Sequence, residues 1–252
     1  MIISLRQTYG DDRKELYDIL SRDEKLIDLY NQCDINIQSF HNCSKETIEY
    51  FKSVVKLRNP LYLEFNNIPF TQTVKRVVEL VKDSKADHFL WTQDDTFSTQ
   101  RIVDWNELLG YVNEYEKGLL ISLTLLTNII NITLIPDEKL KSFNVWKLDT
   151  HYIGEKMYFA MDDSPYICST DMLDVIYGEE YFEYDCVWTA EQFLFRKFND
   201  VNIPRYVISD YVSVLKNYNL YGRTLGKVKQ YREELIKLKY MRGGVIGNTP
   251  GS

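Results

Sequence analysis

The chain has 252 residues, of which 44% are hydrophobic, and it carries a formal net charge of −7 with a pI of about 5.1. This length allows one large domain with a sizeable core. The acidic balance argues against a nucleic-acid partner, because phosphate binding needs a basic face. No apolar run is long enough to span a membrane, and residues 1–5 are too short for a signal peptide. We therefore expect a cytoplasmic protein without an integral membrane segment.

The four cysteines lie far apart in the sequence and form no C-x-x-C pair; they are Cys33, Cys43, Cys168 and Cys186. None has a nearby histidine at the spacing of a zinc site. We expect them to be reduced and structural.

The first half of the chain alternates short apolar strands with amphipathic helices. The strands are predicted at residues 2–5, 35–40, 61–65 and 87–93, and the helices begin near residue 16 and cover residues 45–55 and 71–81. Asn42 or Ser44 is expected to cap the second helix. This alternation predicts a mainly parallel sheet covered by helices on both faces, with right-handed crossovers.

The second half of the chain is predicted to add shorter elements to the same sheet. They are a helix at 102–115, a strand at 119–123, an apolar stretch at 128–134, antiparallel strands at 145–148 and 158–161, and a helix at 170–177. Ser169 is expected to cap the last of these helices, and Thr189 with Gln192 fits a capping box at the start of another.

Two adjacent carboxylates, Asp94 and Asp95, end the fourth apolar strand. In an open α/β sheet, ligands bind beyond the carboxyl ends of the strands, so this pair is expected to face a crevice. Hard oxygen ligands suit Mg²⁺ or Mn²⁺, which such sites often share with substrate phosphates. The alternative is a polar loop whose carboxylates are merely solvated.

Glu191 lies in the first turn of the helix that the capping box predicts. The helix dipole keeps such a carboxylate ionised and its position is rigid, which suits a general base. The alternative is that Glu191 only stabilises the helix, as acids in first turns commonly do.

The end of the chain changes character, because residues 221–242 contain seven basic side chains and two acidic ones. Such a surplus could contact donor phosphates, an anionic acceptor or a membrane surface. The simplest interpretation is a solvated helix with internal salt bridges, followed by a flexible tail from residue 247.

Over residues 1–199 the sequence resembles a GT-A glycosyltransferase, most nearly of the family 2 type. The resemblance depends on the opening strand and its loop through Asp11, the alternating units, the strand ending in Thr92-Gln93-Asp94-Asp95, and the later Glu191. It implies an α/β, Rossmann-like, mostly parallel sheet flanked by helices. Residues 1–98 would form the nucleotide-sugar half, residues 99–200 the acceptor half, and residues 201–252 a basic helical extension.

The resemblance also implies roles at the donor site. Asp95 would coordinate Mn²⁺ or Mg²⁺, and Asp94 would support the ion or contact the ribose. Thr8, Tyr9 and Asp11 would lie near the base and ribose.

Further roles follow from the same resemblance. Arg76 or Gln72 would reach the donor from the third predicted helix, and His151 would be a further metal or phosphate ligand, unless it is a surface histidine. Glu191 would take the proton from an acceptor hydroxyl on a glycan, a lipid-linked acceptor or a protein, in a single inverting displacement.

The sequence departs from the family pattern in two ways. Only one acid, Glu191, remains at the last catalytic helix, so Asp185 or Asp163 could be the base instead. The second strand also lacks a terminal acid of the kind that often contacts the base. Two other functions compete: a nucleotidyltransferase, which usually needs a glycine-rich basic loop after the first strand, and a non-catalytic carbohydrate-binding or structural protein.

Overall fold

A buried strand, β1 (Ile2–Tyr9), lies between two parallel neighbours, β2 (Ile35–His41) and β4 (His88–Gln93). The computed structural model describes residues 1–94, 96–98, 104–123, 132–148, 165–184, 206–208 and 212–214. The other strands are β3 (Pro60–Phe65), β5 (Thr96–Ser98), β6 (Leu120–Ser122), β7 (Ile132–Ile135), β8 (Val145–Leu148), β9 (Tyr166–Ser169), β10 (Tyr206–Ile208) and β11 (Val212–Val214). The helices are α1 (Lys14–Ser21), α2 (Glu24–Gln32), α3 (Lys45–Val54), α4 (Phe70–Asp83), α5 (Trp105–Asn113), α6 (Met172–Ile176) and a 3₁₀ helix at Glu179–Glu183.

The described strands form a nine-stranded sheet in the order β3-β2-β1-β4-β9-β6-β10-β8-β7. Strands β8 and β9 run against the other members, so the sheet is mostly parallel in direction. A separate two-stranded sheet joins β5 to β11 in antiparallel register. The predicted α/β sheet flanked by helices is confirmed.

Hydrophobic cores cover both faces of the sheet, because the side chains of each strand alternate between them. Ile3 and Leu5 of β1 pack into the core beneath α4 and α6, whereas Leu90 of β4 packs into the core beneath α1, α2, α3 and α5. At the open edge, β3 begins with Pro60, which lacks a backbone N–H and is tolerated at the start of an edge strand.

Strand β1 continues four residues beyond the predicted end at residue 5. Its polar residues Arg6, Gln7 and Thr8 are fully buried, although the sequence suggests a loop there. They remain in the strand because β2 and β4 supply backbone ladders on both sides, with Gln7 opposite Ser39 and Gln93. The predicted end of this strand was therefore wrong.

Several elements were missed and one cap was wrong; the missed elements are α2, β5, β9, β10, β11 and the 3₁₀ helix. Asp23 is the N-cap residue of α2, and its carboxylate accepts from the Leu26 backbone N–H. Strand β9 lies where no element was predicted, and Ser169, the predicted helix cap, is its last residue. The Ser169 hydroxyl accepts from the Leu119 N–H and does not cap a helix. The N-cap residue of α6 is Asp171.

Several predicted elements are confirmed, among them α3 with Ser44 as its N-cap, α4, and β8 as an antiparallel strand. The predicted strand at 158–161, the helix beginning near residue 189 and the basic segment at 221–242 lie outside the described residues. Among the helices that are described, none has both the length and the apolar character needed to cross a bilayer.

Candidate active site

The carboxyl ends of β1, β2 and β4 meet at one edge of the sheet because the three strands are parallel and in register. Tyr9 lies opposite His41, and Gln7 lies opposite Gln93, the last residue of β4. Asp94 follows directly. This edge therefore brings together an aromatic ring, an imidazole and a carboxylate from three separate segments of the chain.

Asp94 is buried, with 2% of its surface exposed. Its Oδ1 accepts a hydrogen bond from Arg13 Nη1 at 2.9 Å, and Oδ2 has no hydrogen-bond partner within the described part of the chain. Burial raises the pKa of this carboxyl group, and the guanidinium groups of Arg13 and Arg6 oppose the rise. One carboxylate oxygen is thus held by a cation, and the other forms no hydrogen bond among the described residues.

The loop between β1 and α1 is tied to the N-terminus of α3. Gly10 adopts a φ of +72°, and its N–H donates to the His41 carbonyl at 2.9 Å. Asp11 Oδ1 accepts from the Ser44 N–H at 2.7 Å. Hydrogen bonds from the Thr47 side chain and from Ser44 lower the pKa of Asp11. The loop conformation is therefore fixed by α3.

We expect Asp11→Ala to lower the free energy of unfolding by about 1 kcal/mol, because a backbone N–H at the start of α3 loses its acceptor. Asp11→Asn is the matched control, since its amide oxygen can still accept from Ser44. Urea denaturation of the two variants measures the difference. Equal stability of Asp11→Ala and the unchanged protein would contradict a structural role for this carboxylate.

Tyr9 and His41 stack, with ring centroids 4.4 Å apart and planes inclined by 22°. The Ser39 hydroxyl lies 3.0 Å from His41 Nε2. Burial lowers the pKa of His41 to about 4, so the imidazole is neutral at physiological pH. Burial also raises the pKa of Tyr9, whose hydroxyl has no hydrogen-bond partner among the residues described. The edge thus presents neutral aromatic groups beside Asp94.

Acid is expected to destabilise the protein through His41. The imidazole takes up a proton near pH 6.5 in the unfolded chain but only near pH 4 in the folded protein. Between these values the unfolded state binds more protons, so this contribution to stability is lost as the pH falls, by about 2 kcal/mol between pH 7 and pH 5. His41→Phe keeps a ring against Tyr9 and does not titrate. Urea denaturation at both pH values should show a larger loss for the unchanged protein than for His41→Phe; equal losses would contradict the assignment.

The structure brings some of the predicted donor-site residues together. Tyr9 and Asp94 lie at the same edge, and Asp11 lies in the adjoining loop. Thr8 is fully buried, and its hydroxyl accepts from Gln38 Nε2 at 3.3 Å.

Of the other predicted residues, two lie on α4 and the rest lie outside the described part of the chain. Arg76 is exposed on α4, and Gln72 on the same helix donates from Nε2 to the Phe182 carbonyl at 2.8 Å. Asp95, His151 and Glu191 lie outside the described residues, as do the alternative bases Asp163 and Asp185.

Sequence reasoning missed Arg6 and Arg13 as members of this site; for His41, at the end of the second strand, it left a place in the crevice open beside a surface or supporting role. Arg6 and Arg13 are buried and close to Asp94, and His41 covers Tyr9. A signal existed for Arg6, because this charged residue directly follows the predicted apolar strand and lies two positions before the candidate site residue Thr8. Nothing in the local sequence marks Arg13, which approaches Asp94 across 81 residues.

Asp94 supplies one ligand atom of the kind that a divalent cation takes. A buried carboxylate oxygen without a partner is a hard ligand of the kind that Mg²⁺ and Mn²⁺ prefer. The described residues contain no group of three or more His, Cys, Asp or Glu side chains that could hold an ion by themselves. Such ions usually complete their coordination with substrate phosphates and water.

No protein-family model matches the sequence, and a search of curated proteins finds no relative. Solved structures do match. The 4-diphosphocytidyl-2C-methyl-D-erythritol synthase of Anaerococcus prevotii gives a TM-score of 0.52 at 12% identity, covering 94% of this chain and 96% of that one. The UTP-bound UGPase of Acinetobacter baumannii gives 0.50 at 10% identity, covering 95% and 100%. The 1-349 fragment of S. aureus TarS gives 0.51 at 12% identity, covering 96% and 72%.

The fold is GT-A-like. The structural neighbours include nucleotidyltransferases and glycosyltransferases of the nucleotide-sugar type. At identities of 10% to 12%, the likeness concerns the fold alone. The GT-A-like fold confirms the architecture that the resemblance implied and leaves the reaction to be argued from the residues at the sheet edge.

Proposed function

We propose that the chain is a metal-dependent glycosyltransferase that moves a sugar from a nucleoside-diphosphate donor to an acceptor hydroxyl. The observation that carries this proposal is Asp94, buried at the carboxyl end of β4 with Oδ1 bound by Arg13 and Oδ2 without a partner in the described residues. Ligands of open α/β sheets bind at this edge. A carboxylate oxygen without a hydrogen-bond partner could bind the cation that accompanies a nucleoside diphosphate.

In this proposal the donor lies across residues 1–98. Asp95 and Asp94 would hold Mn²⁺ or Mg²⁺, which supplies charge neutralisation on the leaving nucleoside diphosphate when it is bound. Tyr9, Thr8 and Asp11 would line the base and ribose subsite.

Two further groups complete the proposed donor site. Arg76 would contact the donor from α4, and His151 would add a metal or phosphate ligand. Arg13 would keep one oxygen of Asp94 engaged while the donor binds.

Glu191 would act as the general base in the acceptor half, residues 99–200. It would accept the proton of the acceptor hydroxyl as that oxygen bonds to the anomeric carbon and the nucleoside diphosphate departs. A single displacement of this kind inverts the anomeric configuration. The acceptor would be a glycan, a lipid-linked molecule or a protein, and the proposed location is the cytoplasm.

A nucleotidyltransferase is the second candidate, because two of the structural neighbours, the synthase and the UGPase, belong to that class. The loop after β1 argues against it. Residues 10–13 of this loop contain one glycine and two carboxylates, Asp11 and Asp12. They are not the glycine-rich basic loop that a nucleotidyltransferase usually needs after its first strand.

The products of turnover distinguish these candidates. A glycosyltransferase supplied with nucleotide sugars, Mn²⁺ and a hydroxyl acceptor, or more slowly with water as the acceptor, releases a nucleoside diphosphate. A nucleotidyltransferase supplied with a nucleoside triphosphate and a sugar phosphate releases pyrophosphate. We expect diphosphate release from one donor. Pyrophosphate release alone would establish the second candidate, and neither product under either condition would favour a non-catalytic protein.

A further inference from the structure

Arg6 is a buried cation that has no carboxylate partner among the described residues. About 1% of its surface is exposed, and no Asp or Glu among the described residues forms a salt bridge with it. Its Nη2 donates to the Asp94 carbonyl, and its Nη1 lies 3.4 Å from the Thr96 carbonyl. The guanidinium therefore contacts the main chain on both sides of the turn that carries the acidic pair.

A series of hydrogen bonds through Thr92 and Tyr30 holds the guanidinium group of Arg6. The Thr92 hydroxyl donates to the Leu5 carbonyl at 2.8 Å, so its oxygen accepts from the Tyr30 hydroxyl at 2.8 Å. The Tyr30 oxygen is then left to accept from Arg6 Nη1 at 3.3 Å. Tyr30 of helix α2 and Thr92 of strand β4 thus hold Arg6 in one orientation. Because the guanidinium group is planar and rigid, its nitrogens then donate to the main-chain carbonyls of Asp94 and Thr96 in a fixed geometry.

We infer that Arg6 is a positioning residue of the donor site, and this inference rests on the proposed function. Arg6 holds the main-chain carbonyls of Asp94 and Thr96, while Arg13 holds one oxygen of the Asp94 side chain. Together they present the remaining oxygen, Oδ2, to the ligand. Removing a residue that orients a metal-binding carboxylate commonly weakens metal binding about 10- to 100-fold.

Stability alone gives a weak reason for a buried guanidinium at this position. Removing a cation from water is costly, and apolar residues of similar volume often replace buried charged groups with no loss of stability. Carbonyl groups partly compensate Arg6, but its Nε has no hydrogen-bond partner in the described part of the chain. The buried positive charge of Arg6 is explained if the donor site needs it, because an arginine side chain is a permanent cation.

The test is the dissociation constant for Mn²⁺ alone, measured by electron paramagnetic resonance of free Mn²⁺ in the full chain. Arg6→Met keeps the approximate length and removes the fork, and Arg6→Lys keeps the charge and removes the fork. We expect both variants to bind Mn²⁺ roughly 10-fold or more weakly while retaining the fold. The experiment measures Mn²⁺ binding in the absence of nucleotide, so a general loss of catalytic activity cannot produce the expected result.

Ser4→Ala is the matched control, because Ser4 is buried on the same face of β1, bonded to Asn36 and remote from the turn. It should leave the Mn²⁺ affinity unchanged. If Arg6→Met does not fold, Tyr30→Phe, which removes the hydroxyl that accepts from Nη1, should weaken Mn²⁺ binding in the same direction. Folded Arg6 variants that bind Mn²⁺ as the unchanged protein does would overturn the inference and leave the proposed function standing. An unchanged protein that binds no Mn²⁺, either alone or with a nucleoside diphosphate, would instead remove the proposed function.

Discussion

Asp94→Asn and Asp95→Asn are each expected to lower sugar transfer about 100- to 10,000-fold. A bound divalent ion contributes several kcal/mol to stabilising charge on the leaving group, and each 1.4 kcal/mol corresponds to about a factor of ten in rate. The asparagine side chain keeps the size of the aspartate and removes the charge that attracts the ion. Initial rates with the preferred donor, over a range of Mn²⁺ concentrations, measure the effect.

Asp87→Asn is the matched control for the acidic pair. Asp87 precedes β4 at its opposite end, is exposed and pairs with the N-terminal amine of Met1. Its replacement changes the net charge by the same amount without touching the carboxyl edge, so transfer should be unaffected. Retention of more than about a tenth of the activity in both edge variants would show that the pair is an ordinary polar loop.

Glu191→Gln is expected to lower transfer about 100- to 10,000-fold, the usual contribution of general base catalysis. Donor binding should be retained, because the proposed role concerns only the acceptor hydroxyl. The loss should therefore fall on kcat, and the acidic limb of the pH profile of kcat should disappear. Steady-state kinetics across pH measure both effects.

Asp185→Asn and Asp163→Asn serve as comparisons, because each carries a carboxylate that could replace Glu191 as the base. Both should retain most of the activity. A large loss in either, with Glu191→Gln active at the unchanged rate, would assign the base to that aspartate and remove the argument for inversion that depends on Glu191.

The sequence predicted the parallel half of the sheet well, because its strands are apolar and its helices have clear helical spacing. The prediction failed where tertiary contacts, and not the local sequence, determine the secondary structure. The second half of β1 is polar, but its residues are buried against Tyr30, Thr92 and Gln38, none of which is near them in the chain. Strand β9 is only four residues long and follows a proline, so nothing local distinguishes it from a loop.

The candidate site was predictable only in part, for a related reason. The acidic pair is a local feature at the end of an apolar strand, so Asp94 could be found. Arg6 and Arg13, the cations beside Asp94, precede it by 88 and 81 residues in the sequence. Only the strand register and the β1–α1 loop bring them close to it. His41 ends a strand that was predicted, but its neutrality depends on burial beside Tyr9.

Thermal unfolding with UDP, GDP, TDP and CMP, each with and without Mn²⁺, tests the donor site most directly. A ligand that binds only the folded protein stabilises it by mass action, by about 2.7 kcal/mol at 100 times its dissociation constant. The proposed function predicts a shift with one diphosphate that requires Mn²⁺ and is lost in Asp95→Ala. No shift with any nucleotide would contradict it and would leave a GT-A-like fold that binds no nucleotide donor.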